Sequence, residues 1–342
     1  MAELKIDVDA AEVGFDPERL ARIDRHFATY VDDGRLPGWL LLVSRHGQVA
    51  HLSTYGDRDI ETARPVTDDT IWRLFSMTKP VTSVAAMMLY EEGAFQLTDP
   101  VSRWIPSFAD LQVWRGGTSR APVTRPATEP VRVWHLLTHT AGLTYGFHYA
   151  HPVDSMYRQA GFEWGTPRGW DLAATCDAYA GLPLLFEPGT EWNYSVATDV
   201  LGRLVEVVSG QTLDEFFRQR ILDPLGMTDS GFWVGPDDAD RLVTLYVPDG
   251  DKKAVPSPLS GYALHRPSCL SGGGGLMGTA HDYHRFMEML HRGGELDGVR
   301  LLGSRTVAYM ASNHLPGGAD LEHFGRPLFS ETTYDGVGFG LG

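Results

Sequence analysis

Apolar positions at Leu20, Ile23, Phe27 and Tyr30 recur at helical spacing and predict an amphipathic helix after Asp16. Asp16 is placed to cap it, Pro17 takes the first helical position and Gly34 stops it. The next stretch, GWLLLVSRHGQVAHLSTYG, reads as a hairpin, two strands about a short turn at His46-Gly47. SMTKPVTSVAAMMLYEEG predicts a helix of about four turns ending at Gly93. Pro80 is compatible with that helix only in its first turn, where amides have no intrahelical acceptor, which sets the start near Ser76. Residues 115–131 break any period with Pro, Gly, Ser and Thr and read as a loop. VRVWHLLTHTAGL predicts a short helix and a turn at Gly142, and the aromatic run TYGFHYAHPVDSMYRQAGFEWG reads as irregular. DLAATCDAYAG, VATDVLGRLVEVVSG, TLDEFFRQRILDPLG and AHDYHRFMEMLHRGG predict further helices, each followed by a glycine stop. No internal repeat, low-complexity tract or inter-domain linker interrupts this order.

Composition narrows the class. The chain has 342 residues, 43% hydrophobic and 21% charged, enough for one large domain or two ordinary ones. Its net charge of −15 argues against nucleic acid or an anionic membrane as partner, since both need a basic surface. Cys176 and Cys269 are too few for a disulfide framework and read as buried small residues. The N-terminus has neither a basic start nor an apolar run, so a cytoplasmic location is expected.

The chemistry concentrates at LFSMTKPV. Lysine occurs only at Lys5, Lys79, Lys252 and Lys253. Random placement of eighteen serines and four lysines gives about 0.2 Ser-x-x-Lys pairs, yet Ser76 and Lys79 form one. Three residues apart on a helix, the two share a face. Serine is a weak nucleophile that needs a base, and a buried lysine amine can serve. The free N–H groups of a helix N-terminus can hold an oxyanion. The alternative is a capping serine beside a solvated lysine, but the apolar flanks IWRLF and VAAMMLY favour burial. Tyr194 stands on a loop before a helix, where it is either a packing residue or a phenol whose acidity a nearby cation adjusts. Ser271–Thr279, SGGGGLMGT, holds a formal G-x-G-x-x-G but no strand precedes it. A tight turn lining a pocket or packing on another segment, with Gly274 and Gly275 at its centre, fits better. His135 and His139 have zinc-helix spacing without the glutamate, so no metal site and no cofactor is expected. The aromatics Tyr145, Phe147, Tyr149, Trp164, Trp170 and Trp192 lie in glycine-punctuated stretches that suit a pocket wall, Tyr145, Phe147 and Trp192 foremost.

Taken together, FSMTKPVTSVAAMMLYEEGAFQLTDPVSRWIPSF, LLTHTAGLTYGF, FEPGTEWNYSVATDVLGRLVEVVSG, ILDPLGMTDSGFW and SGGGGLMGTAHDYHRFMEML resemble the serine β-lactamase-related family. The esterase branch, the family VIII carboxylesterases, is the nearest, beside class C β-lactamases and D-alanyl-D-alanine carboxypeptidases. The resemblance runs from about Gly14 to the last residue. It implies an α+β, β-lactamase/transpeptidase-like fold: an antiparallel sheet flanked by helices (residues 1–95 and 231–342) and a mainly helical region (96–230). It also implies roles: Ser76 as the acylated serine, Lys79 as its motif partner, and Tyr194 as the tyrosine that shuttles protons with that lysine.

Two departures bear on function. The lactamase Tyr-x-Asn motif reads here Tyr194-Ser195-Val196, and valine cannot hold a lactam amide. The sequence also ends at DGVGFGLG, the block that precedes the family's third motif (Lys-Thr-Gly, His-x-Gly or Trp-Gly-Gly). The expectation is a fragment lacking C-terminal sheet strands and the second oxyanion donor, or a chain completed by another. The leading function is a serine hydrolase that cleaves small-molecule carboxylic esters through an acyl-enzyme on Ser76, with Lys79 and Tyr194 as proton-transfer partners. The alternatives are a β-lactamase, a D-amino-acid peptidase or an acyltransferase of the same family, and, from another class, a non-catalytic ligand-binding relative.

Overall fold

The computed structural model describes residues 4–325 and 333–342. Its first helix, α1 (Pro17–Asp32), begins where the sequence places it: Asp16 accepts the backbone N–H groups of Glu18 and Arg19 through its side chain. The hairpin follows as β1 (Gly38–Arg45) and β2 (Gln48–Asp59), antiparallel, with His46 and Gly47 both at positive φ in the turn. A short β3 (Arg64–Pro65) extends the sheet in the order β1-β2-β3. α1 lies on this sheet, and its Leu20 joins Ala10, Val13 and Ala50 in a common core.

The chain divides into two units. One comprises the described residues up to Leu74, Leu225–Pro267 and Leu276–Met289. Besides the α1–sheet layer it holds a second core of Ile71, Val234, Leu242 and Ala263. The other comprises Phe75–Pro224, Ser268–Gly275 and the described residues from Leu290 onward.

The second unit is built around α2 (Thr78–Glu91), apolar on nearly every side and buried from Thr78 to Leu89 apart from Pro80. It starts two residues later than expected: a 3₁₀ turn, Phe75–Met77, carries Ser76, and Phe75 sits in the left-handed region at φ 45°. α3 (Val133–Leu137), α4 (Pro152–Gln159), α5 (Leu172–Ala180), α6 (Ala197–Ser209) and α7 (Leu213–Phe217) complete its helical part. α6 packs against α2, α3, α5 and α7.

Three expectations are corrected. Residues 115–131 are not all loop: Gln112–Thr118 pairs antiparallel with Ala121–Pro126. A register shift between Trp114 and Gly116 hides the alternation, and Gly117 must be glycine because a Cβ would stand 2.3 Å from the Ala121 carbonyl. The aromatic run expected to be irregular contains α4, opened by Pro152 and closed into a reciprocal cap by His151 and Asp154. The helix expected over TLDEFFRQRILDPLG leaves α geometry after Phe217, and Arg218–Leu222 forms a π-helical turn.

Candidate active site

The second unit brings Ser76, Lys79 and Tyr194 together. Lys79, only 6% exposed, places Nζ 3.2 Å from Ser76 Oγ. The phenol of Tyr194 donates to Ser76 Oγ at 2.5 Å. Ser76 itself is exposed, so the hydroxyl is held from within the protein and open on its other side. The convergence follows from local structure. The turn at Phe75–Met77 sets Ser76 one turn ahead of Lys79, and Tyr194 stands shortly before α6, which packs on α2.

Lys79 has a second partner that no motif signalled. Its Nζ donates to the backbone carbonyl of Gly273 at 2.6 Å. Gly273 belongs to the glycine turn after Ser271, where the N–H groups of Gly274 and Gly275 return to the Ser271 carbonyl. Thr82, one turn beyond Lys79, donates to the Gly272 carbonyl at 2.7 Å. From α6, Asp199 accepts the Ser271 hydroxyl at 2.6 Å and the Gly273 N–H at 3.0 Å. Gly274 faces the turn that carries Ser76, its direction of side-chain growth 3.7 Å from the Phe75 backbone.

The aromatic residues separate into two groups. Tyr145 lies against Tyr194, ring centroids 5.3 Å apart, and stacks on Phe147, which stacks in turn on Trp164 with planes 6° apart. This row runs from Lys79 Nζ, 5.5 Å from the Tyr145 ring, to Trp164 at 71% exposure. Burial, with the charge of Asp199 and the neighbouring Tyr194 added, pushes the Tyr145 phenol well above its ordinary range. Trp192 is different: it is 9% exposed and backs Tyr194, packed on Phe339, with its backbone N–H bonded to the Phe324 carbonyl. The exposed apolar residues Phe75, Met77 and Tyr149 belong to the same unit.

The loop carrying Tyr145 is fixed by Asp154, 1% exposed. It accepts the Thr144 hydroxyl at 2.8 Å and the N–H groups of Ala150 and His151 at 3.0 and 2.8 Å. His139 holds the loop of Tyr194: its carbonyl accepts the Asn193 N–H, and Nδ1 lies 3.1 Å from Ser195 Oγ. Burial pushes His139 down to about 3, with the charges of Lys79 and His148 acting the same way. His135 is pushed down to about 4 by burial and by Arg132, and its Nδ1 accepts the Arg132 N–H. The two histidines thus serve separate backbone and side-chain contacts. Among the described residues, Asp320, His323 and Asp335 do place potential ligand atoms within 4.8 Å of one another. Asp320 is already engaged there by the N–H groups of His323 and Gly336. Both cysteines are free thiols, and no described helix is long and apolar enough to cross a membrane.

The chain belongs to the β-lactamase family of serine hydrolases, whose sequence pattern matches residues 23–342. The esterase EstB of Burkholderia gladioli is 33% identical over 288 residues, 79% of this chain and 69% of that protein. The lovastatin esterase of Penicillium rubens is 31% identical over 337 residues, 94% of this chain and 82% of its own length. Among solved structures, EstCE1, described as a hydrolase with promiscuous acyltransferase activity, superposes with a TM-score of 0.73 at 31% identity, covering 95% of this chain and 82% of that one. The fold is accordingly the β-lactamase/transpeptidase-like one that the sequence implies.

Proposed function

We propose that the protein cleaves carboxylic esters of small molecules through an acyl-enzyme on Ser76. The observation that carries this reading is the pair of contacts to one oxygen, Lys79 Nζ at 3.2 Å and Tyr194 Oη at 2.5 Å from Ser76 Oγ. Lys79 serves as the base: its Nζ is anchored on the Gly273 carbonyl at 2.6 Å and stands within reach of the Ser76 hydroxyl. Ser76 Oγ bonds to the carbonyl carbon as its proton passes to Lys79, and the carbonyl π electrons move onto oxygen, opposite the Ser76 N–H. Collapse breaks the bond to the alkoxide, which takes the phenolic proton of Tyr194. The Lys79 ammonium, 4.6 Å from the Tyr194 ring, restores that proton. Water then repeats the sequence in reverse and releases the acid.

The side chains beside Tyr194 favour esters over lactams. Val196 is buried and apolar, Ser195 is engaged with His139, and the Asn193 amide donates inward to the Leu143 carbonyl at 2.9 Å. Of these three neighbours only Asn193 carries a side-chain amide, and its NH2 is directed at the Leu143 and Tyr194 carbonyls. The esterase names of EstB and the lovastatin esterase point the same way. Release of the acyl group to an alcohol instead of water is the second reading, favoured by the acyltransferase activity in the description of EstCE1.

Turnover of p-nitrophenyl acetate and butyrate by wild type and Ser76→Ala tests the reading. Loss of hydrolysis in the variant at unchanged melting temperature is expected, with nitrocefin turned over far more slowly than either ester. Equal turnover by the two proteins would overturn it.

A further inference from the structure

We infer that Asp199 is a positioning residue for Lys79, acting through the glycine turn at Gly272-Gly273. The inference rests on the serine-hydrolase reading for its kinetic consequence, though its geometric content is independent of it. Asp199 is 6% exposed, and a buried carboxylate is costly unless its lone pairs are satisfied. Its carboxylate is engaged by the turn twice: by the hydroxyl of Ser271 and by the N–H of Gly273. The carbonyl of that same Gly273 is the acceptor of Lys79 Nζ. Thr82 grips the same turn from the opposite helix through the Gly272 carbonyl. The turn is thus clamped between α6 and α2, and one of its carbonyls aims at the amine.

Sterics show how close the clamp is. A Cβ on Gly272 would stand 2.7 Å from the Thr198 carbonyl and 3.1 Å from the Thr82 methyl. A Cβ on Gly273 would stand 2.8 Å from an Asp199 carboxylate oxygen. On α6 itself, Gly202 lies against Gly272, with its own Cβ position 3.4 Å from the Gly272 Cα. These glycines serve close approach, and the approach fixes one carbonyl. That carbonyl matters because an amine nitrogen has few directions to use. With one N–H tied to Gly273, rotation about the last Lys79 bond is restricted, and one of the two remaining positions faces Ser76 Oγ. A misaligned amine loses the near-attack geometry on which proton transfer depends.

The test uses Asp199→Ala, which removes the carboxylate oxygen that accepts both Ser271 and Gly273, and Thr82→Val, which removes the other grip without changing shape. With only four lysines in the chain, selective ¹³C labelling at lysine Cε resolves Lys79 without any turnover. In both variants the Lys79 resonance is expected to move at constant pH while those of Lys5, Lys252 and Lys253 stay. kcat per fluorophosphonate-titrated site should fall about tenfold or more with KM held within about twofold. A purely structural role would lower the melting temperature and the active fraction but leave the Lys79 resonance and kcat per site in place, and that result overturns the inference. If Asp199→Ala does not fold, Ser271→Ala, which removes one of the two contacts to that carboxylate, takes its place with the same expected readouts. If the resonance moves while Ser76→Ala retains full turnover, the clamp stands and the serine-hydrolase mechanism falls.

Discussion

Tyr194 donates its phenolic hydrogen to Ser76 at 2.5 Å across 118 residues of chain. The contact couples the loop before α6 to the turn before α2, and it joins the phenol to the hydroxyl proposed as nucleophile. Removing the oxygen alone therefore isolates its chemistry. Tyr194→Phe keeps the ring contacts to His139 and Tyr145 and should fold normally. Its kcat on p-nitrophenyl butyrate should fall about 10²- to 10⁴-fold, the usual worth of a general acid or base, with KM little changed.

The glycine turn gives a contrast between neighbours. Gly272→Ala forces a Cβ into the Thr198 carbonyl at 2.7 Å, backbone that cannot step aside cheaply. A loss of about 1–3 kcal/mol in urea unfolding is expected, with reduced turnover as the Gly273 carbonyl leaves Lys79. Gly274→Ala meets only ordinary contacts, the nearest at 3.7 Å, and should unfold within about 0.5 kcal/mol of wild type.

Asp154 is predicted to act on substrate binding through the loop it organises. Asp154→Ala orphans the N–H groups of Ala150 and His151 and leaves the Thr144 hydroxyl only His148 Nδ1, 3.2 Å away. Hydrogen bonds to a charged group are worth about 1.5–3 kcal/mol each, so losing the acceptor of the two N–H groups should cost about 3–6 kcal/mol of stability. Tyr145 and Phe147 lie just beyond Thr144, so KM should rise in the folded fraction, measured by steady-state kinetics below the melting temperature.

Acid should destabilise the fold through buried histidines. Burial holds His139 at about 3 and His135 and His148 at about 4, below the ordinary 6.5. The unfolded chain therefore binds more protons than the native one between about pH 6.5 and 4. Stability contributed by these neutral rings is complete above that window and is lost as pH falls through it. Each histidine adds at most about 1.4 kcal/mol per pH unit. Urea unfolding across pH 4–8 should show this slope. His139→Asn should flatten it, asparagine being tolerant of the positive φ at that position.

Most of the helices, α4 excepted, and the Ser76–Lys79 pair were legible in the sequence because both depend on spacing along one helix. The α1 cap at Asp16 and the hairpin turn at His46-Gly47 are likewise local signals. Tyr194 was a candidate by resemblance, since nothing within its own loop says which distant hydroxyl it meets. Asp199, Thr82 and the Gly273 carbonyl were not legible. Their meaning lies in the packing of α2 against α6, and a carbonyl carries no side-chain identity. The hairpin within 112–126 was hidden by a bulge at paired glycines. α4 was hidden by aromatic neighbours, although Pro152 at its first position and Asp154 at its third were available signals. The packing of Trp192 on Phe339, nearly 150 residues away in the chain, has no local signal.

The central claim is that Ser76 becomes acylated, and intact-mass spectrometry of the protein quenched during p-nitrophenyl butyrate turnover tests it directly. The expected result is one added butyryl group per chain, mapped to the peptide holding Ser76 and absent from Ser76→Ala. A butyryl group on another residue, or an equal adduct on Ser76→Ala, would contradict it.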